Sequence, residues 1–92
     1  MNVVNETDAE RYTVWDGDDL QGFAVYDFLG NTIRILHVEV PETKRGQGLG
    51  GLVTRSVLDT IREDTEFRVQ PVCSFAVRWM REHPEYADLA QR

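Results

Sequence analysis

The sequence predicts a small α+β fold with a mixed sheet, its elements in the order β-β-β-α-β-α. Three observations predict it. Three β-rich stretches joined by two short glycine turns fill residues 11–40. Apolar residues at helical spacing follow from about Leu49. A further β-rich stretch then returns, which calls for a crossover rather than a hairpin.

Each element has its own signal. Residues 1–8 are polar and acidic and are expected to be flexible. Arg11–Asp16, "RYTVWD", alternates and carries β-formers. "DGDD" is a turn in which Gly17 is free to take positive φ. Leu20–Leu29 is strand-like, with Phe23, Val25 and Phe28 among its apolar residues, and Gly30-Asn31 is the next turn. Thr32–Val40, "TIRILHVEV", is rich in β-branched residues and stops at Pro41. Leu49, Leu52, Val53, Val57 and Ile61 share one face of a helix ending near Arg62. Phe67–Val72 is a fourth strand, returning parallel to the third by a right-handed crossover. Ser74 can cap a last helix reaching about His83, where a cation suits the helix C-terminus. Pro84 ends that helix, and "EYADL" makes a final turn.

Composition narrows the function. The 92 residues argue for a single domain over 1–92. The net charge of −6 argues against nucleic acid as a partner, because neutralising phosphates needs a basic face. No apolar run is long enough for a membrane span, and the N-terminus lacks the basic and apolar regions of a secretion signal. The expected location is cytoplasmic. The single cysteine, Cys73, permits no intrachain disulfide, and His37, Cys73 and His83 are too scattered for a metal site.

The informative stretch is "VPETKRGQGLGGLV", Val40–Val53. Successive N–H groups in a glycine-rich turn form an anion-binding concavity, and the following helix adds unsatisfied N–H groups and its positive dipole end. Gly48 and Gly50 lack Cβ atoms, so a phosphate can approach the chain, while Lys44 and Arg45 add charge at the rim. A P-loop needs Gly-Lys-Ser/Thr, and here Gly50 is followed by Gly51 and Leu52. Gly46, Gly48 and Gly51 match G-x-G-x-x-G, but "PETKR" separates them from the strand and the chain is too short for two nucleotide-binding halves. A coenzyme A diphosphate and a ligand-free helix entry are the remaining readings.

Arg45-Gly46-Gln47-Gly48-Leu49-Gly50 is similar to the Arg/Gln-x-x-Gly-x-Gly/Ala signature of the GNAT superfamily of N-acetyltransferases. "HVEVPETKRGQGLGGLV" together with "PVCSFAVRWMREHPEYADL" resembles its small single-domain YjdJ-type members, from about Gly22 to the C-terminus. The resemblance implies a truncated GNAT-like fold whose third and fourth strands splay to admit acetyl-coenzyme A. It implies a diphosphate on Arg45, Gly46, Gln47, Gly48, Leu49, Gly50 and Gly51, and a pantetheine arm along main-chain groups of Val38 and Val40. The thioester then points toward Cys73 and Ser74. Ser74 stands where the family carries Pro; Ser can cap the helix instead. The helices and strands that line the acceptor pocket of longer members have no room here.

Acetyl transfer to an amine needs a base and a proton for the leaving thiolate. His37 and Glu39 lie two apart on a strand, so they share a face, and either can serve as base. On a core-facing side, burial would carry their pKa values toward neutrality. Cys73 precedes a helix N-terminus, where the dipole favours a thiolate; it can accept the acetyl group or give a proton to the leaving thiolate. Each of the three also has a purely structural explanation. Two further readings stand beside the N-acetyltransferase: a non-catalytic coenzyme A or acyl-coenzyme A binding module, and an interaction protein that has lost its ligand. The amine acceptor is not specified by the sequence. The expected assembly is a monomer or a weak homodimer through the exposed first strand.

Overall fold

The computed structural model describes residues 1–92. Five strands form one sheet in sequence order: β1 (Asn2–Glu6), β2 (Arg11–Asp16), β3 (Asp19–Leu29), β4 (Thr32–Glu39) and β5 (Arg68–Pro71). Strands β1 to β4 are antiparallel, and β5 returns parallel to β4 after helix α1 (Leu49–Asp64). Helix α2 (Ser74–Glu82) follows β5. Short 3-10 turns occupy Thr7–Ala9, Glu42–Lys44 and Pro84–Gln91. The expected meander, crossover and terminal helix are all present. No helix is long and apolar enough to cross a membrane.

Strand β1 is the departure. Residues 1–8, expected to be flexible, pair with β2 from Asn2↔Trp15 to Glu6↔Arg11. Side chains outside the strand hold it in place. The Tyr26 hydroxyl donates to Asn5 Oδ1 at 2.6 Å, Arg11 pairs with Glu6 at 2.6 Å, and Val3 packs on the core. The strand at 11–16 is therefore interior, and β1 is the open edge.

The core is one cluster in which Val14, Ala24, Tyr26, Ile33, Ile35 and Val69 of the sheet meet both helices and the last turn. The buried side of α1 is broader than the apolar stripe of its sequence. Val53, Val57 and Ile61 are buried as expected, with Thr54 and Leu58 beside them, while Leu49 and Leu52 stay half-exposed. The reason is a second neighbour: α2 packs on that flank, close enough that a Cβ on Gly50 would stand 2.9 Å from the Phe75 ring and one on Gly51 3.2 Å from Trp79 Nε1. The Thr54 hydroxyl is satisfied by Gly50 O at 2.8 Å. At the far end of α1, the Arg92 guanidinium donates to Arg62 O, Thr65 O and Phe67 O at 2.8–3.2 Å, covering carbonyls at the helix end and just beyond it.

Two irregularities shape the sheet near the glycine loop. The β3–β4 register runs Tyr26↔Ile35 and then Val25↔His37, which leaves Leu36 as an extra residue. Such a bulge interrupts the alternation of faces. Ile33 and Ile35 point to the core, but beyond the bulge Val38 takes the inward position, lining a narrow cleft with Thr54, Ala76 and Met80. The second irregularity is where β5 ends. It pairs with β4 only from Thr32 to Ile35; the amides of Val72 and Cys73 both donate to Ile35 O, at 2.9 and 3.3 Å, and the chain then turns into α2. Strand β4 runs on to Glu39 with β3 alone, so its other edge is open.

Candidate active site at the strand splay

The loop after β4 begins with Pro41 and one 3-10 turn, closed by Lys44 N–H to Pro41 O (2.8 Å) and Arg45 N–H to Glu42 O (3.3 Å). Gly46 and Gly48 then adopt φ of +86° and +73°, which other L-residues rarely take. Space around both is open, since an added Cβ would meet nothing within 4 Å. Gly48 is the N-cap residue of α1 and offers no side-chain cap. The amides of Leu49, Gly50 and Gly51 in the first turn consequently have no intrahelical acceptor. Gln47 is exposed beside them. Gly50 was expected to clear room for a ligand; the space its missing Cβ leaves is filled by Phe75 instead. The four glycines thus divide into two that shape the turn and two that let the start of α1 approach α2.

Cys73 is the N-cap of α2, and its Sγ accepts from the Ala76 amide at 3.4 Å. The cap expected from Ser74 is therefore one residue early: Ser74 is the first helical residue and is exposed. The strand that delivers Cys73 ends on a half-buried Pro71, and the sulfur is half-buried at the splay. Glu39 O lies toward Gly22 of β3 and Ile35 O toward β5. By alternation past the bulge, the main-chain groups of Val38 face the open edge, and Val40 follows directly after the end of β4.

His37 and Glu39 do share a face, and their side chains meet, His37 Nε2 against Glu39 Oε2. That face is the outer one, away from the helices, with the two side chains 57% and 33% exposed. The bulge at Leu36 is the reason; unbroken alternation would have set His37 beside Ile33 and Ile35. The burial that would have raised a carboxyl toward neutrality is thus missing. The Glu39 carboxyl is instead held below the usual carboxylate range, chiefly by the hydrogen bond with His37 and further by the charges of His37 and Arg45. Glu39 is accordingly an anion in contact with His37 Nε2.

The rim cations are both engaged. Lys44 pairs with Asp19 at the start of β3, and Arg45 Nη2 donates to Glu39 Oε1 at 3.0 Å. Asp19 gave no sign of this in the sequence, because its partner lies 25 residues away. Gly22 did carry a signal: a glycine inside a strand pattern marks a close backbone approach. His83 lies outside the site. Its ring stacks on Trp79 with centroids 3.8 Å apart, and its Nδ1 bonds Trp79 O at 2.7 Å. A wider polar depression ringed by Arg62, Glu66 and Arg92 lies at the opposite end of α1 and shares no residue with the splay.

A family model described as GCN5-related N-acetyl-transferase matches residues 11–89, nearly the whole chain and all of the site just described. No curated protein matches the chain.

Proposed function

Because the chain belongs to the GCN5-related N-acetyltransferase family, we propose that it carries an acetyl group from acetyl-coenzyme A to an amine. The observation that supports this best is the convergence at one place of three features. An uncapped α1 N-terminus, a turn of two left-handed glycines in open space, and the free edge of β4 all lie beside the start of α2. Unpartnered amides at a helix N-terminus fit a diphosphate. A free strand edge fits an extended amide chain, which can bond to it as an added strand.

Acetyl-coenzyme A supplies an acyl group already activated as a thioester. The amides from Gly46 to Gly51, with Arg45, Gln47 and Leu49 around them, hold the diphosphate. Val38 and Val40 offer main-chain bonds to the pantetheine arm, and the Ser74 amide at the α2 N-terminus faces the acyl end. His37, held by Glu39, takes the amine proton at Nδ1. Cys73, at the acyl end, either receives the acetyl group on Sγ or protonates the departing thiolate.

A thermal shift with acetyl-coenzyme A, with NADH as control, tests the binding half. A ligand that binds only the folded state stabilises it by about 2.7 kcal/mol at a hundredfold excess over its dissociation constant. A shift with acetyl-coenzyme A alone is expected; no shift at saturation would sink the assignment. Coenzyme release with a panel of amines tests the chemistry. The second reading, a non-catalytic acyl-coenzyme A module, is favoured by one feature: no helix covers His37 and Glu39 on the outer face of the sheet. It predicts the thermal shift without amine-dependent release.

A further inference from the structure

The Glu39 carboxylate has two oxygens and two different partners. Oε1 accepts from Arg45 Nη2 at 3.0 Å, and Oε2 meets His37 Nε2. One carboxylate therefore joins the first residue of the glycine loop to the imidazole at the strand end. We propose that Glu39 is a switch point between the two: in the empty protein it is shared by Arg45 and His37, and an anion on the loop takes Arg45 and leaves Glu39 to His37. The inference rests on the reading that the glycine loop holds a diphosphate.

Exposure decides which rim cation can move. The Lys44 side chain is 22% exposed and pinned by Asp19, whereas Arg45 is 63% exposed and stands directly before Gly46. A guanidinium matches a diphosphate with two parallel N–H···O bonds, so the ligand competes well with a single, exposed bond to Glu39. The other charges on this face are already matched. Arg11, in the same cross-strand row as Val25 and His37, pairs with Glu6; Arg34 and Asp27 bond each other through two contacts. Phe23 and Val25, directly opposite Glu39 and His37 on β3, carry no charge. Arg11 and Arg34 are thus each held by a carboxylate other than Glu39. Arg45 is thus a positioning residue: its departure changes how the base is held. Because the coupling is reciprocal, Glu39 also opposes loop occupation.

A double-mutant cycle on coenzyme A affinity by calorimetry tests this with Glu39→Gln, Arg45→Gln and the double variant. Glu39→Gln is expected to tighten binding several-fold in the natural protein and to change nothing in the Arg45→Gln background. The His37 ring signals in NMR are expected to move on loading the natural protein and to stay still in Glu39→Gln. An equal tightening in both backgrounds would mean that Glu39 acts only as a distant charge, and the switch is overturned. The same cycle with inorganic pyrophosphate separates the two levels. If coenzyme A fails to bind but pyrophosphate reproduces the cycle, the coupling stands and the coenzyme assignment falls. If neither binds, both fall.

Discussion

Gly22 of β3 lies directly under the end of β4 at Glu39: a Cβ at Gly22 would stand 2.5 Å from Glu39 O and 2.7 Å from Val53 Cγ2 of α1. One missing methyl thus lets the strand that carries His37 and Glu39 press against β3 while α1 presses on the sheet. The contact on one side is backbone, which cannot rotate away. Gly22→Ala is therefore expected to cost about 1–3 kcal/mol, as overpacking does, and to displace the Glu39 end of β4. Urea unfolding reads the first effect, and loss of the His37–Glu39 contact in NMR reads the second.

The glycines of the loop are expected to fail in different ways. Gly48→Ala meets no atom but must hold φ near +73°, at a cost of about 1–2 kcal/mol, and is expected to weaken the acetyl-coenzyme A thermal shift. Gly50→Ala meets the Phe75 ring at 2.9 Å and is expected to lower the melting temperature of the empty protein. Equal effects of both variants on stability and on binding would contradict this division.

Cys73→Ser separates the two chemical roles from the cap. Serine is a good N-cap, so stability is expected to hold. If the acetyl group passes through Sγ, turnover falls by orders of magnitude, because a hydroxyl is the weaker nucleophile. If Cys73 only gives a proton, the serine O–H retains part of the rate. An undiminished rate leaves Cys73 as a cap and nothing more.

Ile61 is fully buried between α1 and the sheet. Ile61→Ala is expected to cost about 2–5 kcal/mol, a large share of the roughly 5–15 kcal/mol that holds a domain together. The urea midpoint should fall while the slope of the transition stays the same.

Acid should weaken the fold through its paired carboxylates. Hydrogen bonds from Arg34 hold the Asp27 carboxyl below its ordinary value, and a hydrogen bond from Lys44 does the same for Asp19. A lowered carboxyl stabilises the fold above its unfolded value, about 4, and loses that contribution as pH falls through the lower folded value. Asp27→Asn removes one such group. The urea midpoint of the variant should drop less between pH 7 and pH 3 than that of the natural protein; an identical drop would show the pair to be irrelevant to acid stability.

Much of the fold was legible because its signals are local. Short glycine turns separate the strands, Pro41 stops β4, and the 3- and 4-residue apolar spacing marks α1. The same holds for the loop, where the positive φ of Gly46 and Gly48 answers to residues that only the loop itself contains. Strand β1 was not legible, since Val3 and Val4 between polar residues are too short a pattern and its support comes from Arg11 and Tyr26. The widened buried side of α1 was not legible either, because it depends on α2 packing beside it.

For the site, the sequence by itself determined which residues could do chemistry and that His37 and Glu39 would share a face, since a strand repeats every two residues. Only the tertiary structure decided which face. The extra residue at Leu36 exists only as a register shift between β4 and β3, and that shift turned His37 and Glu39 away from the core and toward Arg45. Strand register is a relation between two segments, and neither segment carries it alone.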